Sequence, residues 1–247
     1  MDNNFRERAK TAALDRWYRK RLRAVAKQIA KIAAEWSGND PSELQLSLFD
    51  YSVRLDEWAR GVAEIMLRRA AAADYETWLN TGKKINRATK RMLRDAVVGP
   101  IFGRLQDEQV SLIRSLPLEA ARKAHEWALS GLSSGQRYGD IAQRIKRDLG
   151  GVSDSRAICI ARTETARART NFTQARAQAV GSTHYIWHTV GDGAVRSRHK
   201  ALDKTVHAWS DPPICDVGAG GVPIRSHPGC VFNCRCWPEP IFYRKDI

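Results

Sequence analysis

The cysteines of this chain are crowded into its last fifty residues. Four of the five fall between 215 and 236, and half of the histidines (His199, His207 and His227) stand among them. The same stretch is dense in Pro and Gly from Pro212 to Pro240. Backbone that irregular rarely keeps a shape through apolar burial alone, so a covalent or metal staple is expected. The N-terminus, Met1-Asp2-Asn3-Asn4-Phe5-Arg6, lacks the apolar core of a secretory signal, which makes the reducing cytoplasm the default compartment. There, clustered cysteines serve as metal ligands more often than as disulfides.

Zinc takes about four thiolate or imidazole ligands in a tetrahedron, usually delivered as close pairs from turns. His227-x-x-Cys230 is one usable pair, and Cys234-x-Cys236 a second, more tightly spaced one. The candidate metal ligands are therefore His199, Cys215, His227, Cys230, Cys234 and Cys236, with His207 nearby; which four would bind is left open. Reduced thiols and a histidine packing a small core are the competing reading. A Cys234–Cys236 disulfide is disfavoured because a one-residue loop strains the bridge.

Before residue 182 the pattern is different: long, basic and alanine-rich. Apolar side chains recur at helical spacing from Leu14 through Tyr18, Leu22, Val25, Ile29 and Ile32 to Trp36, predicting a helix over residues 5–36 that Gly38 ends. Asp40-Pro41-Ser42-Glu43 has the form of a new helix start. A long helix is expected from about Ser52 to Leu79, and another over Lys83–Val98, broken by Gly99-Pro100. Helices at about 101–115 and 118–130 would be parted by Pro117. Gly150-Gly151 should close a short helix that begins at Asp140, and Ser153 or Asp154 should cap the next, which runs to about Val180. Tryptophans 17, 36, 58 and 127 read as core residues. Thr183–Val190 is aromatic and β-branched and reads as a strand.

The fold class is thus mainly α: an elongated helical N-terminal body with a small C-terminal α+β module, stapled by zinc. The division expected is a basic helical body over 1–117 and a second domain over 118–247, helical to about 181 and an α+β Cys/His module over 182–247. No stretch approaches the ~20 apolar residues that span a bilayer. The formal net charge is +14. Residues 183–247 hold eight Lys and Arg against six Asp and Glu, a net of +2, so +12 belongs to residues 1–182. A field of that sign favours a polyanion such as nucleic acid.

Two further groups of residues stand out. Asp192, Arg196, His199 and Asp203 surround a short helical turn; a structural clasp tying the strand to the next loop fits them better than a histidine general base, since no nucleophile is placed beside them. Arg162, Arg167, Arg169 and Arg176 make the helix after Ile160 strongly basic. Taken singly they read as a solvated helix face, with Glu164 in a surface ion pair; taken together they are the candidates for tracking DNA phosphates. Neither a phosphate-binding glycine loop nor a nucleophile elbow occurs, so no catalytic residue is assigned.

Several short pieces then occur in a telling order: Ala161-Arg162-Thr163-Glu164, Tyr185-x-Trp187, Asp192-x-x-x-Arg196-x-x-His199-x-x-Leu202-Asp203, Trp209-x-x-Pro212-Pro213, His227-Pro228-Gly229 and Asn233-Cys234-Arg235-Cys236. Over roughly residues 120–240 this resembles the phage Mu F-like head morphogenesis domain. The resemblance implies a minor capsid protein of a tailed bacteriophage or prophage, a virion component inside the head near the portal, present in the host cytoplasm during assembly. It implies a role in procapsid assembly and DNA packaging or ejection. Implied partners are the portal protein, the major capsid or scaffolding protein and double-stranded DNA bound without sequence preference, with no membrane and no enzymatic activity. One departure is notable: the family often has Gly directly after the Leu-Asp pair, where Lys204 stands here. The rival readings are a metal-dependent nucleic-acid-processing enzyme, and an ADP-ribosyltransferase-like domain using Arg162 and Glu164.

Overall fold

The computed structural model describes residues 3–81, 91 and 99–242. Within them the chain is mainly α, with six α-helices followed by short strands in the C-terminal part. Helix α1 spans Asn3–Glu35, α2 Pro41–Arg54, α3 Asp56–Thr81, α4 Gly99–Ser133 and α5 Tyr138–Ala179. The C-terminal part runs β1 (His184–His188), α6 (Ser197–Leu202), β2 (Val206–Ala208), β3 (Ile214–Val217), a 3-10 turn (Ala219–Gly221), β4 (Pro223–Arg225) and β5 (Trp237–Pro240). No described helix is long and apolar enough to cross a membrane.

Spatial contacts divide the chain into two compact units, each drawn from non-adjacent stretches. One takes in residues 16–65 and 106–161, and its described parts are helices and their connecting turns. Its core uses the stripe read in α1: Tyr18, Leu22, Val25 and Ile29 are buried with Leu44 and Leu48 of α2, Ile113 and Leu116 of α4, and Ile141, Ile145 and Leu149 of α5. Asp40 caps α2 as its sequence suggests, accepting from the Ser42 amide at 2.8 Å with Pro41 in the first turn.

Several expected breaks are absent, each for a packing reason. Pro117 lies inside α4, which is continuous from Gly99 to Ser133. A proline there removes one backbone hydrogen bond and costs about 3 kcal/mol. Ile113, Leu116, Ala120 and Ala124, all buried on one stripe, hold the two flanks in register regardless. Gly150 and Gly151 likewise sit within α5. A Cβ at Gly150 would lie 2.7 Å from that of Ala30, so this glycine allows α1 and α5 to approach closely instead of ending a helix. Ser153 caps nothing: its hydroxyl donates back to the Leu149 carbonyl at 2.9 Å. The expected single helix from Ser52 to Leu79 is interrupted at Leu55, whose amide bonds the Tyr51 carbonyl at 3.1 Å. Trp58 is exposed rather than core. The helix expected over Lys83–Val98 lies outside the described residues, Arg91 excepted.

The other unit takes in residues 1–15, 66–105 and 162–247. Its sheet has the order β2-β1-β5, antiparallel throughout, with Tyr185 opposite His207 and Pro240 and Trp187 opposite Pro238. Alternation along β1 turns Tyr185 and Trp187 inward, and both are fully buried. They pack with Trp78, Ala177, Val180, Trp209, Cys215, Cys234 and Cys236. Strands β3 and β4 form a separate antiparallel pair. At the family's glycine position Lys204 takes a left-handed φ of 64° and donates its amide to the Trp187 carbonyl at 2.7 Å. The turn survives without glycine, at the strain a side chain pays in that region.

Deep in this unit Asp74 of α3 meets α5. Its carboxylate accepts from the Thr173 hydroxyl at 2.6 Å and pairs with Arg176, whose guanidinium also lies over the Tyr75 ring. Asp74 and Arg176 are both buried. Asp74→Ala should therefore strand the guanidinium and cost about 3 kcal/mol or more, read as a fall in the denaturant midpoint. Lys204→Gly should stabilise by up to about 1 kcal/mol in the same measurement, by relieving the left-handed strain.

Candidate metal centre

The loop between β4 and β5 is shaped by two tight turns. Cys230 N donates to His227 O at 3.2 Å and Cys234 N to Val231 O at 3.0 Å. Gly229 and Asn233 supply the left-handed residues, at φ 82° and 58°. The loop then lies down on α5 through two threonines one heptad apart, so on one helix face. Thr170 Oγ1 donates to Pro228 O at 2.7 Å, and Thr163 Oγ1 accepts from Asn233 N at 3.0 Å. Gly229 is required twice over, by its φ and because a Cβ would sit 2.9 Å from both Cys236 O and Thr170 Oγ1.

This docking carries Cys234 and Cys236 to His199 on α6. The Nδ1 atom of His199 lies 3.5 Å from each sulfur, and the three ligand atoms all fall within 4.8 Å of one another. All three residues are buried. Trp187 closes one side, edge to the imidazole at 5.4 Å between centroids. The Cys234 sulfur also accepts two backbone amides, Gly229 N and Cys236 N, both at 3.4 Å. Hydrogen bonds to a sulfur favour its thiolate. The Cys234 thiol is accordingly held well below its ordinary value, by the Cys236 thiol above all and then by His199 and the Cys236 amide, against burial. Cys236 is pushed up by its hydrogen bond to Cys234 and by burial. The sulfurs of Cys215 and Cys234 raise the His199 imidazolium to about 9, overriding burial. A thiolate beside an imidazole and a second thiol is a donor set that could hold a soft divalent metal.

The remaining candidates are placed differently. Cys215 borders His199 but stands outside the tight triad, its thiol directed to Ile224 O at 3.6 Å. Cys230 is a plain thiol whose titration burial pushes up to about 12. His227 turns away to the Tyr185 hydroxyl at 3.1 Å and packs on the Trp209 ring; burial and then His207 depress its titration. His207 pairs with the Thr205 hydroxyl at 2.7 Å.

The four clasp residues fasten separate segments. Asp192 pairs with Arg235 at 2.6 Å, and Arg196 reaches Phe232 O at 2.8 Å and Asp216 at 3.4 Å. Asp203 accepts the Thr189 amide at 2.7 Å, joining the end of β1 to the turn after α6.

The basic helix is no solvated face. Thr163, Glu164, Thr165, Thr170 and Arg176 are all buried; the C-terminal loop lies on Thr163 and Thr170, and α3 meets Arg176. Glu164 pairs with Arg167 at 2.8 Å in that interior, not at the surface. Arg169 bonds the Thr11 hydroxyl, Arg162 is half-buried, and Arg176, buried on Asp74, is closed to any phosphate.

Gly229→Ala should cost at least about 2 kcal/mol, from left-handed strain together with displacement of Thr170 or the Cys236 carbonyl. The loss would show as a lower denaturation midpoint, whereas Gly193→Ala, with open space around it, should fall within about 0.5 kcal/mol of wild type.

A Haemophilus influenzae (strain ATCC 51907 / DSM 11121 / KW20 / Rd) protein, described as an uncharacterized protein, is 32% identical over 132 residues, covering 53% of this chain and 27% of that relative. The chain thus spans little more than a quarter of that relative's length. No solved structure matches. The family model described as Phage Mu protein F like protein matches residues 123–238, a stretch that takes in α5, β1, His199 and the two clustered cysteines. Over that stretch, just under half of its length, the chain is similar to the Phage Mu protein F like family.

Proposed function

We propose that this chain is a minor head protein of a tailed bacteriophage or prophage, acting inside the head near the portal in procapsid assembly and in DNA packaging or ejection. The observation that carries the reading is the coincidence of the Mu F-like match over 123–238 with the folded C-terminal module and its α5 platform. The module is a scaffold on this reading: its charged residues tie segments together, with Asp192 on Arg235 and Arg196 on Phe232 and Asp216. Portal protein and the major capsid or scaffolding protein are the protein partners, met first in the host cytoplasm and then within the virion. Purified DNA-filled heads of the producing phage should contain the chain in few copies, protected from added protease until the heads are opened. Its absence from such heads would remove the reading.

Double-stranded DNA is a further partner on this reading, and its contact is assigned to α1 instead of α5, because the cations of α1 are the more exposed. Arg16, Lys20, Lys27 and Lys31 are exposed along α1 at spacings that bring them to one side of the helix. A stripe of cations on a rigid rod suits a phosphate backbone without reading its bases. Binding to duplex DNA should weaken steeply with salt and be indifferent to sequence. Replacing Lys20 and Lys27 by Gln should lower the slope of log K against log salt by about 2, since each released counterion contributes about 0.9. A slope unchanged by the double substitution would dissociate α1 from DNA.

A further inference from the structure

The candidate centre can be tested for metal by its own geometry. Zinc–sulfur and zinc–nitrogen bonds of roughly 2.3 and 2.0–2.1 Å at tetrahedral angles place an imidazole nitrogen about 3.5 Å from each thiolate. The His199 Nδ1 atom lies 3.5 Å from Cys234 Sγ and 3.5 Å from Cys236 Sγ. An imidazole–thiol hydrogen bond has a similar length, so what singles the cluster out is that three buried donors fall within 4.8 Å of one another. The Cys234 sulfur, moreover, accepts two amides at 3.4 Å from the turns on either side of it, the outer-shell support that orients a ligating thiolate. The ligands come from two separate segments, α6 and the loop before β5, so an ion would cross-link them.

We propose that His199, Cys234 and Cys236 bind one zinc ion. Two thiolates and an imidazole select zinc over the hard cations magnesium and calcium, which prefer oxygen. The assignment leaves out Cys215, which borders His199 but stands outside the triad with its sulfur directed to Ile224 O. The three protein donors leave one tetrahedral position. A cleft of about 110 Å³ touches all three of them and is flanked by Arg196, Asn233 and Arg235. A water molecule, or a donor atom from a partner entering that cleft, completes the coordination. Zinc binding stands apart from the head-protein reading and would hold or fail without it.

The test is metal analysis of the full-length chain purified without chelator, before and after titration of its thiols with an organomercurial. About one zinc per chain is expected, released in step with modification of two buried thiols. His199→Ala, Cys234→Ser and Cys236→Ser should fall to background zinc, while Cys215→Ser and Cys230→Ser keep the full amount. Cobalt loaded in place of zinc should give the visible bands of a tetrahedral site and sulfur-to-metal charge transfer, unaltered in Cys215→Ser. Because ligand variants can fail to fold, the mercurial release and the cobalt spectrum are read on the wild-type chain. Absence of zinc from that chain together with no tetrahedral cobalt spectrum would overturn the proposal. Loss of zinc from folded Cys215→Ser would overturn the three-ligand assignment.

Discussion

The sulfur of Cys234 is the point on which the C-terminal module converges. It gathers the Gly229 and Cys236 amides and the His199 ring, so one atom joins both turns of the loop before β5 to α6. A segment this rich in Pro and Gly has little regular backbone pairing, so polar convergence adds to the burial of Trp209 and the cysteines in fixing its shape. The buried sulfur would be costly to leave without partners in a medium of low polarity, and the same burial makes each N–H···S contact stronger than it would be in water. The electrostatics follow from this arrangement: Cys234 is drawn toward its thiolate and His199 toward its imidazolium, while Cys236 keeps its proton.

Convergence at Cys234 depends on Thr163 and Thr170 lying in one uninterrupted helix. Thr163 and Thr170 anchor the loop only because they share a face of one helix, and Gly229 has to come close enough for its missing Cβ to matter. The Ala-Arg-Thr-Glu and His-Pro-Gly pieces of the sequence are thereby one device: the hydroxyl of Thr163 receives the loop at Asn233, and Thr170 holds it at Pro228. The two arginines Arg167 and Arg176 do not form an open cationic surface, because each is drawn to a buried carboxylate. Arg167 and Arg176 are turned on Glu164 and Asp74, each carboxylate meeting a guanidinium in the interior.

Much of the architecture was legible from local signals. The apolar stripe of α1, the Asp40-Pro41 start of α2 and the alternation of Tyr185 and Trp187 state their own burial. So did the density of sulfur and imidazole near the C-terminus, which named His199, Cys234 and Cys236 among six candidates. Local signals failed where tertiary packing outvoted them. Pro117 and Gly150-Gly151 look like helix ends until the stripe through Ile113 to Ala124 and the close approach of Ala30 are known. Arg176 looks like a surface cation because its partner is a hundred residues away, at Asp74. Picking the three clustered side chains out of six candidates needed the fold too, since His227 is nearer in sequence to the cysteines than His199 is, yet bonds Tyr185. Thr163 and Thr170 carried a faint signal, two hydroxyls seven residues apart, with nothing to say what they would hold.

Hydrogen exchange resolved by NMR at the Gly229 and Cys236 amides of the full-length protein probes the Cys234 hub most directly, because these two protons point at its sulfur. Both should exchange far more slowly than those of an open loop and as slowly as the amides of β1. Exchange at the rate of an unstructured peptide, while α5 and β1 stay protected, would contradict a module organised around that sulfur.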